Sequence, residues 1–113
     1  MEVLYADRKI EKVCNSAKEL TRRFGEVNGK IIGRRLDELK AASNLGVLRN
    51  MPQARCHELT GDRKGQLAVD AKQPHRVIFR PTEDPAPCLA DGGLDWTSVT
   101  KVTIIDVVDY HGH

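Results

Sequence analysis

Near residue 55 the spacing of apolar residues changes period, and this change restricts the fold more than any other feature of the chain. Up to residue 42 apolar side chains recur every three or four positions; beyond residue 55 they alternate. A helix repeats every ~3.6 residues and a strand every two, so a face built for one is scrambled by the other. The first part therefore predicts helices and the second strands. Consecutive strands joined by short turns favour antiparallel pairing, with the helices packed on one side of the sheet. The expected fold is α+β, two N-terminal helices on a small, mainly antiparallel sheet in the order β-α-α-β-β-β-β.

Val3–Tyr5 reads as a short opening strand. Asp7 is placed to cap a helix in which Ile10, Val13, Cys14, Ala17, Leu20 and Phe24 share a face, and Gly25 suits its stop. The pair Asn15-Ser16 also permits two short helices here. The next helix is predicted over 26–42, with Val27, Ile31, Ile32, Leu36 and Leu39 as its buried stripe and Arg34 paired with Glu38 outside. Gly29 and Gly33 each cost that helix about 1 kcal/mol relative to Ala, which close packing on the preceding helix would explain. Residues 44–54 read as a connecting loop. Strands are expected at 55–59, 66–71, 76–80 and 99–108, with turns at 61–65 and 72–75 and a Pro/Gly/Asp-rich loop over 81–95.

With 113 residues, 40% of them hydrophobic, the chain suits one domain, 1–113, with a real core. No apolar run approaches the ~20 residues of a bilayer span. MEVLYADRK lacks the basic start and long apolar stretch of a signal peptide. The expectation is a cytoplasmic protein without membrane contact. Cys14, Cys56 and Cys88 are odd in number and far apart, which argues against a disulfide framework. Cys56 and His57 are neighbours, but adjacent strand residues point to opposite faces, which argues against a metal site. A P-loop, GxGxxG, nucleophile elbow and HExxH are all absent, so nucleotide-dependent and zinc-hydrolase chemistry has no support and no cofactor is expected. The net charge of +2 hides an asymmetry, +7 through residue 80 and −5 beyond it. A basic body of this kind could face a polyanion, although such charges are more often plain solvated surface.

The groups capable of chemistry fall in the strand-like half. In RCHEL, alternation sets Arg55, His57 and Leu59 against Cys56 and Glu58; Leu59 and Cys56 are both core candidates, so the register stays open. In HRVIFR, Arg76, Ile78 and Arg80 oppose Val77 and Phe79. At the end of the chain, Ile104, Asp106 and Val108 oppose Ile105, Val107 and Asp109, and a terminal twist would bring Asp109, Tyr110 and His111 to the rim of the sheet. One reading is a polar strand surface with a polar tail. The other is a face on which His57, Arg76, Asp109, Tyr110 and His111 meet around one phosphodiester. Histidine exchanges protons near neutral pH, and arginine holds phosphate and offsets the charge that builds on it. Such groups support metal-free RNA cleavage, in which the 2′-hydroxyl attacks its own phosphate.

The stretch ARCHELTGDRKGQLAVDAKQPHRVIF, with DYH near the end, resembles the HigB-like branch of the RelE toxin superfamily. These are toxins of type II toxin–antitoxin modules, also called plasmid maintenance killer proteins. The matching motifs are His57-Glu58-Leu59, Gly61–Gly65, Gln66–Asp70, Arg76 and Asp109-Tyr110-His111, in family order, and the resemblance covers nearly all of the chain outside 81–98. It implies a microbial-ribonuclease-like, RelE-like fold and an endoribonuclease (mRNA interferase) that cuts mRNA in the ribosomal A site, inhibits translation and arrests growth. The implied partners are the ribosome, mRNA and a cognate HigA-like antitoxin with a helix-turn-helix domain, so that DNA is met only through the antitoxin complex. The resemblance makes His57, Arg76, Asp109, Tyr110 and His111 the catalytic candidates. His57 or His111 would be general acid or base, Asp109 a base or orienting group, Arg76 the phosphate stabiliser, and Tyr110 an RNA-orienting or stacking group. Arg55, Arg63, Lys64, Lys72 and Arg80 are the candidate RNA contacts. The chain departs from the pattern at Thr60, where relatives often carry a base, at Leu67, where they often carry an aromatic, and in its acidic 81–98 loop. These departures motivate an alternative, a domain that binds RNA, ribosome or a partner protein without cleavage.

Overall fold

In the computed structural model, which describes residues 1–109 (Asp109 by its backbone), the helices begin where the sequence supplies caps. β1 (Glu2–Tyr5) leads into α1 (Arg8–Cys14), and Asp7 Oδ1 accepts from the Ile10 N–H at 2.8 Å. The helix does not continue to Phe24. Ser16 is extended and its hydroxyl accepts from the Glu19 N–H at 3.1 Å, so α2 (Ala17–Phe24) starts on a cap of its own. Gly25, at φ +86°, ends α2 and turns the chain directly into α3 (Glu26–Ala41).

α2 and α3 meet backbone to backbone. A Cβ on Gly29 would lie 2.9 Å from the carbonyl carbon and oxygen of Leu20, whereas one on Gly33 would meet only Leu20 Cδ1, at 3.8 Å. Close packing therefore accounts for Gly29 and leaves Gly33 unexplained. The contact also sets the rotation of α3: Asn28, Gly29, Ile32, Leu36 and Leu39 are buried, while Val27, expected in the stripe, is 59% exposed. Glu38 pairs with Arg35 at 3.2 Å and not with Arg34. The presumed loop after α3 contains another short helix, α4 (Leu45–Arg49), capped by Asn44 and buried through Leu45 and Leu48. Five residues are too few to display a helical stripe. The described residues thus form four α-helices; the split at Asn15-Ser16 is the one the sequence permitted, and α4 is the one it did not predict.

The five strands lie in the order β1-β5-β4-β3-β2. β2 (His57–Glu58), β3 (Leu67–Asp70), β4 (His75–Pro81) and β5 (Lys101–Asp109) are antiparallel to their neighbours, and β1 closes the sheet parallel to β5. The molecule is α+β, with helices packed on a mixed, mainly antiparallel sheet. Leu67, Val69, Val77, Phe79, Val102 and Ile104 supply the sheet's side of the core. Ile78 pairs with Asp106 and Phe79 with Ile104, which leaves Ile105 as an extra residue in β5. This bulge resets the alternation, so Ile104 and Val107, expected on opposite faces, both pack on the core.

The 81–95 segment is less open than its composition suggested. Cys88 and Leu94 bridge, the Leu89 N–H donates to Gly93 O at 2.7 Å, and the Asp95 N–H donates to Pro87 O at 2.9 Å. Trp96 then lies under the Arg49 guanidinium, 4.5 Å from the ring centroid, and anchors the loop to α4. Among the described residues no helix is long and apolar enough to cross a membrane.

Candidate functional site

The helices cover one face of the sheet, and the candidate chemistry lies mainly on the other. His57 pairs with Ala68 and Asp70 with Arg76. Leu67, Val69, Val77 and Phe79 belong to the helix-covered core. Alternation then puts Ala68, Asp70, Arg76, Ile78 and Arg80, with His57, on the far side. Ala68 and Ile78 are fully buried and floor this patch. The RCHEL register left open by the sequence is decided here, because Cys56 packs against the core and His57 turns away from it.

Asp70 stands at the centre of the patch. It is 6% exposed; its Oδ2 lies 3.6 Å from Arg55 Nε and its Oδ1 3.8 Å from Arg76 Nε. Both oxygens are buried and have no hydrogen-bond partner among the described residues. The backbone is held on either side: the Asp70 N–H donates to Ala54 O at 2.8 Å, and its carbonyl accepts from Arg35 Nε at 2.7 Å. Glu38 aligns Arg35 and also accepts from the Gln53 amide at 3.0 Å. A carboxylate withdrawn from water keeps its charge only beside compensating charge, and here two guanidinium groups supply it. The sequence reading assigned Asp70 no role. The available signal was one acid at the end of LAVD, a strand otherwise apolar, but its arginine partners appear only with the hairpin register.

His57 is oriented by the same segment. Its Nδ1 is 2.6 Å from the carbonyl oxygen of Arg55. A carbonyl only accepts, so Nδ1 carries the hydrogen and in the neutral ring Nε2 keeps its lone pair for an incoming proton. Arg55 adopts φ +47°, the one positive value among the described non-glycine residues, at a cost of roughly 1–2 kcal/mol. From there its carbonyl meets His57 while its guanidinium meets Asp70. Cys56, next to the histidine, is no nucleophile at neutral pH: burial pushes its thiol up to about 12, with Arg49 only partly opposing.

The basic candidates divide by position. Arg80 is exposed near the far end of β4, its Nη1 donating to Pro81 O at 3.1 Å and Thr82 O at 3.3 Å. Arg63 and Lys64 lie at the turn beside that end, with Arg63 donating to Gln66 Oε1 at 2.8 Å. Lys72 lies at the opposite end and toward the helices. Its N–H donates to Asn28 Oδ1 at 3.1 Å, and it lines a cleft with Phe24, Gly25 and His75. Leu67, where relatives often carry an aromatic, is buried in the core opposite Phe79, so a side chain there is a packing residue. Thr60 is exposed and lines a cleft of about 600 Å³ with Lys64, Pro81, Cys88 and Leu94.

The terminal candidates are met only at their start. β5 pairs Asp109 with His75, one step beyond the Arg76–Val108 pair. Tyr110 and His111 lie outside the described residues. The described site therefore brings together His57, Arg55, Arg76 and Asp70. No family model matches the chain, and no curated protein matches it.

Proposed function

We propose that this chain is a ribosome-dependent mRNA endonuclease of the HigB-like, RelE-superfamily type, a cytoplasmic toxin neutralised by a cognate antitoxin. The observation that carries the reading is a histidine held by its Nδ1–H beside two arginines on one sheet face. In this mechanism His57 Nε2 takes the proton of the 2′-hydroxyl as its oxygen attacks the adjacent phosphorus. Arg55 and Arg76 offset the charge that builds on the phosphoryl oxygens. The bond to the 5′-oxygen breaks, and His111 as general acid protonates that oxygen. The products are a 2′,3′-cyclic phosphate and a free 5′-hydroxyl.

The test is translation of a defined mRNA by purified ribosomes, read by primer extension. New ends inside the A-site codon, absent without ribosomes and lost in both His57→Ala and His111→Ala, would support this reading. A second reading, binding without cleavage, is favoured by Thr60, which stands where relatives often carry a basic residue before the Gly61–Gly65 turn. Under that reading the protein co-sediments with ribosomes and produces no new ends.

A further inference from the structure

We propose that Asp70 is a positioning residue, a built-in counter-ion that presets Arg55 and Arg76 for one phosphodiester; this inference rests on the RNA-cleavage reading of the same face. Two intrahelical arginine pairs close to hydrogen-bond distance, Arg22–Glu19 at 2.8 Å and Arg35–Glu38 at 3.2 Å, while the exposed Lys30–Glu26 pair stays at 3.9 Å. The Asp70 contacts stop at 3.6 and 3.8 Å, one guanidinium to each oxygen, and among the described residues neither oxygen has a hydrogen-bond donor. The acid thus gathers two cations from separate segments, which would otherwise repel, without tight bonds to their N–H groups. A phosphodiester presents the same charge on a similar pair of oxygens. Asp70 itself cannot follow the arginines toward a ligand, because Ala54 O and Arg35 Nε hold its backbone. The Arg55 side chain is 67% exposed, so burying that residue is not the purpose of the contact. Its left-handed backbone also sets His57, so the phosphate-binding and proton-accepting groups share one post.

Asp70→Asn keeps the shape and removes the charge. In the ribosome assay kcat should fall by about 100-fold, the scale of a misplaced reacting group, while KM holds or drops because the patch becomes more positive. An unchanged kcat would overturn the inference. If Asp70→Asn does not fold, Arg55→Lys takes its place, since it keeps the charge at an exposed position and loses the planar fork. The same kcat loss is expected, and an unchanged kcat overturns the proposal. A readout independent of cleavage uses the Nε–Hε resonances of Arg55 and Arg76 and an RNA trinucleotide with a deoxyribose at the attacked position. Both resonances should shift when the trinucleotide binds wild type, and both should move in Asp70→Asn without ligand. Resonances that stay put in Asp70→Asn count against positioning. Wild-type protein that shifts with the trinucleotide yet cuts no mRNA would instead remove the cleavage reading alone.

Discussion

His57 tests the site most directly at the residue scale. It is half-buried at a sheet edge and contributes a proton-accepting nitrogen. His57→Ala should lower cleavage by about 10²–10⁴-fold, the usual range for a lost general base, and leave the thermal midpoint nearly unchanged. A parallel fall in midpoint would mark the residue as structural. The buried thiols make a separate prediction. Burial raises Cys14 to about 11 and Cys56 to about 12, above the ordinary 9.0. The fold therefore favours the protonated thiols. Their stabilisation is complete below about pH 9 and is lost as pH rises through 11 and 12. Urea midpoints should drop between about pH 8 and pH 10.5, and less so in a Cys14→Val, Cys56→Val variant. At about pH 8 a thiol reagent should label exposed Cys88 first.

At the scale of elements, the two glycines of α3 separate propensity from packing. Gly29→Ala gains helix propensity but drives a methyl to 2.9 Å from the Leu20 backbone, so it should cost about 1–3 kcal/mol. Gly33→Ala meets a flexible Leu20 Cδ1 at 3.8 Å and should be neutral or stabilising by up to about 1 kcal/mol. Melting curves of the two variants should shift in opposite directions, and equal shifts would contradict the backbone contact between α2 and α3. The cap at Asp7 was legible in the sequence because a short polar side chain before a helical stripe has one local use; at Asn15-Ser16 only the possible break was legible. α4 was not, since its burial is settled by contacts with residues distant in sequence, such as the Leu45 N–H donating to Val99 O at 2.9 Å.

For the whole molecule, the charge asymmetry becomes a binding prediction. With +7 before residue 81 and −5 after it, association with ribosomes or RNA should weaken with salt. Between 50 and 200 mM salt, affinity should fall by a factor of about 2–3 per phosphate contact on single-stranded RNA, and Arg80→Ala should make the dependence shallower. A salt-independent affinity would point to a protein partner. The sequence by itself determined the fold class and most elements, because hydrophobic period, caps and turn residues act between near neighbours. It also supplied His57 and Arg76 as candidates, through residue chemistry and motif order. Only the tertiary structure decided that β1 joins β5 in parallel, that a bulge at Ile105 resets the last strand, that Leu67 is core, and that Asp70 gathers Arg55 and Arg76. Each of these depends on register between segments far apart in the chain, where one step of pairing moves a side chain to the opposite face.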